Sequence, residues 1–132
     1  MELMIAIIII GVISALAIPN YRKTVERAHR QDAETQLIAL HAANHIYRAQ
    51  TGQTYLQAPT ALDIDAINNA LGINLISNGM TYSYQCTTPF SDYTATAIRQ
   101  APATAFTITI TNLGVSPGYS LACTPAGHMA CD

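Results

Sequence analysis

Tryptophan is absent from this 132-residue chain, and only 11% of its residues are charged. With a formal net charge of -2, the chain as a whole offers nucleic acid no electrostatic footprint, so any DNA binding would rest on a local cluster and is weakly supported. Catalytic motifs are missing too: there is no Gly-rich phosphate cradle, no G-x-S-x-G, and no cysteine with an evident histidine partner on a rigid scaffold. The sequence therefore points away from an enzyme and calls for no cofactor. Also lacking is the pattern of a cleaved secretory signal, because Glu2 precedes the apolar run and "IPNYRK" follows it. That run is expected to stay on the mature protein.

What the sequence has is one long apolar stretch. Within "MELMIAIIIIGVISALAIPNY", residues 3–18 carry no charge, and only Gly11 and Ser14 interrupt the apolar side chains. As a helix rising about 1.5 Å per residue they span about 24 Å, slightly short of a hydrocarbon core of about 30 Å. Hydropathy alone would make this a single-pass anchor. Glu2 does not fit a plain anchor: a carboxylate at the edge of hydrocarbon costs a few kcal/mol unless it is paired, and so marks a functional position. A cation from another chain would balance it. Pro19 removes a backbone donor and crowds the preceding turn, yet "NYRKTVERAHRQDAETQLIALHAANHIYRAQ" reads as further helix. One long helix is expected, kinked or loosened between Gly11 and Pro19.

Charge is unevenly placed. Arg22, Lys23, Arg27 and Arg30 cluster against Glu26 alone, whereas from Gln31 onward there are two basic and six acidic residues. The cluster reads as solvated helix surface or headgroup contacts, or as a partner for acids such as Glu26, Asp32 and Glu34 of neighbouring chains, at about 0–1 kcal/mol per exposed pair. Ala33, Leu37, Leu40, Ala43 and Tyr47 recur at steps of three and four, an apolar stripe suited to lying on a sheet. His41 and His45 stand four residues apart, a spacing that can hold a metal. No acid lies between them as in H-E-x-x-H, so they read as exposed or interfacial helix residues, and no metal is expected. Gly52 suits a left-handed helix end.

The second half is rich in Thr and Tyr and leans toward strands. A short helical pattern spans residues 64–71, and Asn78 and Gly79 mark a turn. "TYSYQC", "YTATAIR" and "FTITITN" alternate as half-buried strands do, predicting antiparallel strands over 81–86, 93–99 and 105–112, with a short fourth over 119–123. Three cysteines, Cys86, Cys123 and Cys131, allow three single bridges, among which spacing does not choose. The run C-x4-H-x2-C around His128 lacks the first C-x2-C of a zinc knuckle and reads as a tail loop.

The order acid, apolar run, Gly11, Pro19, Tyr21 resembles the N-terminal signature of type IV pilins and the related pseudopilins of type II secretion, densely over about the first 25 residues. The resemblance implies an α+β pilin fold: a long hydrophobic N-terminal helix packed on a three- to four-stranded antiparallel sheet. It implies a filament-core part at residues 1–21, an amphipathic half at 22–52, a connecting loop at 53–79, and the sheet with a disulfide loop at 80–132. It further implies a bacterial inner-membrane subunit whose leader is cut by a prepilin peptidase, which also methylates the new amine. Assembly machinery then moves the subunit into an extracellular filament of like subunits. Glu2 becomes the assembly acid, facing the terminal ammonium of an adjacent subunit, and the implied disulfide is Cys123 with Cys131. The family has a basic leader and a short apolar segment before the acid, where this sequence has Met1; restoring about four residues would bring the span to about 30 Å. The family also places the head outside, against the positive-inside pull of the basic cluster. A pseudopilin or minor pilin is the near alternative, and a single-pass anchored binding domain the distant one.

Overall fold

The computed structural model describes residues 2–52, 54–88, 92–100, 105–112, 118–126, 128 and 130–131. Its first element, α1, is a single 50-residue helix, Glu2–Thr51, with Gly11 and Pro19 in its interior. A proline inside a helix forfeits one backbone bond and usually bends the axis, yet it need not end the helix. Here α1 continues without a break to Thr51. It ends where Gly52 takes φ +83°, and the Thr51 hydroxyl donates to the Tyr47 carbonyl at 2.8 Å.

Five antiparallel strands follow in a simple meander, β1 Ala58–Leu62, β2 Met80–Thr88, β3 Asp92–Arg99, β4 Phe106–Asn112 and β5 Tyr119–Thr124, with sheet order equal to chain order. The arrangement is α+β, with one strand more than the three or four expected. The additional strand, β1, lies in the segment read as a loop. Its sequence APTAL carries no alternation of large apolar residues, buries fully only Ala58 and half-buries Leu62. It exists because the free edge of β2 supplies hydrogen-bonding partners, and Pro59 is tolerated because β1 is itself an edge strand.

Period-two alternation sorts the side chains of the central strands. One face carries Met80, Tyr82, Tyr84 and Cys86 from β2, Tyr93, Ala95 and Ala97 from β3, and Phe106, Ile108 and Ile110 from β4, all buried. The other face is dominated by threonines, with Ser83 and Thr96 hydroxyls 2.6 Å apart. In register, Ala95 lies between Tyr84 and Ile110, and Ala97 between Tyr82 and Ile108. Small side chains in the middle strand, flanked by large ones, make a trough for a helix. Ala33, Leu37 and Leu40 of α1 join this core with no exposed surface, and each buried Leu stabilises it by about 2 kcal/mol. Ala43 and Tyr47 are only half-buried, because they turn toward the short helix α2, Ile64–Leu71, instead of the sheet.

α2 matches the expected 64–71 span. Asp63 caps it by accepting from Ala66 N at 3.0 Å, Gly72 ends it in the left-handed region, and Ile67 is its buried anchor. Chain entry into β2 uses Asn78 and Gly79, both at positive φ.

Candidate functional site

α1 has two halves that meet different surroundings. From Glu26 onward its inner face rests on the sheet. Along residues 3–18 the described large apolar side chains are between 52% exposed at Ile9 and 81% exposed at Leu3. A folded monomer rarely leaves more than a few hundred Å² of contiguous apolar surface open to water. This arm therefore requires an apolar surrounding, and by length and composition α1 can cross a membrane. Glu2 is the first residue of α1; its side chain and that of Pro19 lie outside the described atoms. A methyl group added at Gly11 would meet nothing within 4 Å, so the gap there faces open space in the single chain.

What fixes the arm to the head is a set of polar contacts that reading the stripe as apolar residues alone did not reveal. Glu26 sits seven residues before Ala33 on the same face, and its carboxylate lies 3.4 Å from Arg99 Nε, with side chains only 11% and 16% exposed. The geometry is that of a coulombic pair without a hydrogen bond between those two atoms. Arg99 is held in turn by donation from Nη1 to Gly79 O at 3.0 Å. Glu26 was expected to be available to neighbouring chains; it is instead committed to its own sheet. Glu34 likewise pairs with Arg30 at 2.7 Å, and Asp32 accepts from Gln36 and Asn78.

Deeper in the interface, Asn44 is fully buried. Its amide donates to Tyr84 Oη at 2.8 Å and accepts from Leu56 N at 3.1 Å, while Tyr84 Oη donates to Leu56 O at 2.9 Å. Helix, sheet and the segment before β1 are thereby tied at one point. The spacing 26, 33, 37, 40, 44 could have revealed both Glu26 and Asn44 had polar residues been allowed on the stripe.

His41 is buried in the helix–sheet interface, with Tyr93 Oη at 2.5 Å from its Nδ1 and the rings of His45 and Tyr119 at 4.5 Å and 4.8 Å. Burial, and then the charge of His45, lower its pKa; burial, and then Arg48, lower that of His45. Burial raises the hydroxyls of Tyr84 and Tyr93, and pushes Tyr82, with help from Asp32, up to about 12. These groups are neutral near pH 7 and act as packing and hydrogen-bonding groups. Among the described residues no cluster of three His, Cys, Asp or Glu side chains is placed to hold a metal.

The tail is closed by a disulfide between Cys123 and Cys131, with Cα atoms 5.5 Å apart, while Cys86 is a buried thiol on β2. Ala130 is fully buried, and its carbonyl accepts from Arg30 Nη1 at 2.8 Å. His128 packs on Phe106, and its Nδ1 accepts from Ala130 N within the loop. The stapled tail thus docks on α1 at Arg30, within the half of the helix that carries the head.

Comparison with known proteins adds a second line. The chain is 38% identical over 48 residues to type II secretion system core protein G of Klebsiella pneumoniae, 36% of this chain and 34% of that protein. It is 33% identical over 81 residues to type II secretion system core protein G of Escherichia coli strain K12, 54% of this chain and 56% of that protein. The chain is pilin-like. No family model and no solved structure matches it. This pilin-like chain spans between about a third and just over half the length of those two relatives. Neither relative is named as an enzyme, and the pilin-like combination of apolar arm and sheet-bearing head is a structural arrangement in its own right.

Proposed function

We propose that this pilin-like chain is the subunit of a type IV pilus. It is stored in the bacterial inner membrane through the arm and polymerised through that same surface into an extracellular helical filament. The observation that carries the reading is the arm itself: a 16-residue apolar helix segment whose described large side chains are more than half exposed, continuous with a helix half that is locked onto a folded head. Lipid-facing surface becomes helix-to-helix surface in the filament core, with residues 1–21 forming that core and the head facing outward. Because lipid tails are as apolar as leucine, hydrophobicity alone cannot drive the transfer, and ATP-using assembly machinery must extract the subunit. A prepilin peptidase acts before that step.

Glu2 selects register by facing the terminal ammonium of an adjacent subunit, since an unpaired carboxylate in that apolar environment is unfavourable. Gly11 and Pro19 supply a stretch that yields as helices pack. The disulfide-closed tail supports the pilus reading, because the resemblance associates pseudopilins with bound calcium at the corresponding place. The second reading, a type II secretion pseudopilin, is favoured by the names of the two matched relatives.

The test is Glu2→Ala in cells that make the filament. Incorporation into sheared surface fibres should be lost, while the head retains its disulfide and its protease resistance. Wild-type incorporation of that variant would overturn the register role and favour a single-pass anchored binding domain.

A further inference from the structure

We propose that Arg22, Lys23 and Arg27 form a collar on α1 that binds the phosphates of anionic phospholipid headgroups while the subunit resides in the bilayer. The inference rests on the membrane-stored state proposed above. It adds a lipid class and the residues that recognise it.

Position carries the first part. At about 1.5 Å per residue, Arg22 stands about 6 Å beyond Ile18, the end of the apolar segment, and Arg27 about 14 Å beyond it. The headgroup layer on each side of a bilayer is about 5–8 Å deep. Side chains on a helix lean toward its N-terminus, here toward the membrane, and the long stems of Lys and Arg reach back along apolar surface to place their charge among headgroups. At about 100° per residue the three cations fall within an arc of about 140°, so they present one basic surface and not a scattered set.

Availability carries the second part. All three side chains are exposed. None has an acidic partner among the described residues: Glu26 faces Arg99, Glu34 is held by Arg30, and Asp32 accepts from Gln36 and Asn78. Arg30, by contrast, is engaged with Glu34 and the tail carbonyl of Ala130 and belongs to the head. A guanidinium can hold two phosphate oxygens at once, so the two arginines favour a phosphate over a diffuse negative field. With the arm inserted, the collar lies in the headgroup layer beneath the head, where a DNA duplex has no approach. Assembly must then strip these headgroups from the subunit and offer the cations to other acids.

The experiment uses the full chain reconstituted in phosphatidylcholine vesicles carrying trace spin-labelled phosphatidylglycerol or spin-labelled phosphatidylcholine. The motionally restricted fraction of each label reports lipid held at the protein. We expect phosphatidylglycerol to be retained over phosphatidylcholine, by up to about fivefold per cation. The preference should shrink as salt is raised from about 0.1 M to about 1 M, which shortens the screening length from about 10 Å to about 3 Å. It should disappear in Arg22→Gln/Lys23→Gln/Arg27→Gln. Equal retention of the two lipids by the wild-type chain, or an unchanged preference in the triple variant, overturns the collar while leaving anchoring intact. Failure of the wild-type chain to float with the vesicles overturns the anchoring itself. Capture of duplex DNA by these vesicles without any lipid preference reassigns the cations to nucleic acid and overturns the proposal.

Discussion

Truncating Asn44 to alanine removes a side chain that ties the helix to both the sheet and the segment leading into β1. Leu56 N–H loses its acceptor and Tyr84 Oη loses a donor, while the Tyr84 to Leu56 carbonyl bond at 2.9 Å remains possible. A buried donor left without a partner costs about 1–3 kcal/mol, and Leu56 is half-buried, which puts its share near the lower end. The lost bond to Tyr84 adds about 1 kcal/mol. The void left by the amide adds about 1 kcal/mol at about 24 cal/mol per Å³. The expected loss is therefore about 3 kcal/mol, or a fall of about 10 °C in Tm for a chain of this size. Urea unfolding of the full chain in detergent micelles, followed by near-ultraviolet circular dichroism of its seven tyrosines, measures it without interference from tryptophan. Tyr84→Phe alone should cost about 1–2 kcal/mol, and the double variant should fall short of the sum by about 1 kcal/mol, because the two side chains share a bond. A loss below about 1 kcal/mol for Asn44→Ala, or strict additivity with Tyr84→Phe, would refute the idea that this network ties the head to the helix.

Gly79→Ala should destabilise the head by about 1–3 kcal/mol, since φ there is +75° and the added methyl would clash with Arg99 Nη1, displacing the partner of Glu26; urea unfolding reads it. Cys123→Ser/Cys131→Ser opens a loop of sequence separation 8 and should lower stability by about 2.5 kcal/mol in the chain-entropy model, with tail protease cleavage as the readout. The pKa of His41 is lowered in the folded state by burial and by His45, so on acidification the unfolded chain takes up the proton first. Stability should be level above about pH 6.5 and should fall as pH drops from there toward the folded pKa. In His41→Gln that slope should diminish, with His45 leaving a weaker one of the same sign, as thermal scans between pH 7.5 and pH 5 would register.

The parts of the fold that were legible in the sequence are those set by repetition of apolar residues. Alternation in "FTITITN" and "YTATAIR" reproduces β4 and β3 nearly to the residue, and the steps from Ala33 to Leu40 mark the helix face that meets the sheet. β1 was not legible, because an edge strand of small residues draws its stability from the backbone of β2. Asn44 and Glu26 were passed over for a related reason: each is buried only because a distant strand or loop supplies its partner, and no local pattern announces Tyr84 or Arg99. His41 was assigned by spacing alone, and the ring of Tyr93, 52 residues away in sequence, decides its surroundings. The pairing of Cys123 with Cys131 was one of three options from the residues themselves. In the fold, Cys86 is carried away into the core on β2. Glu2, Gly11 and Pro19 stand out in the sequence as a costly carboxylate, a break in the apolar run and a missing donor, but the assembly roles expected of them come from the pilin resemblance, because a single chain supplies no partner for them to act on.

Helical reconstruction by electron microscopy of sheared surface fibres, with the subunit identified by mass spectrometry, addresses the account most directly. Residues 3–18 should be found side by side with the same residues of neighbouring subunits in a lipid-free core, with the threonine-rich sheet face outward. Fibres that lack this chain, with the chain recovered only as single copies in the membrane fraction, would contradict it.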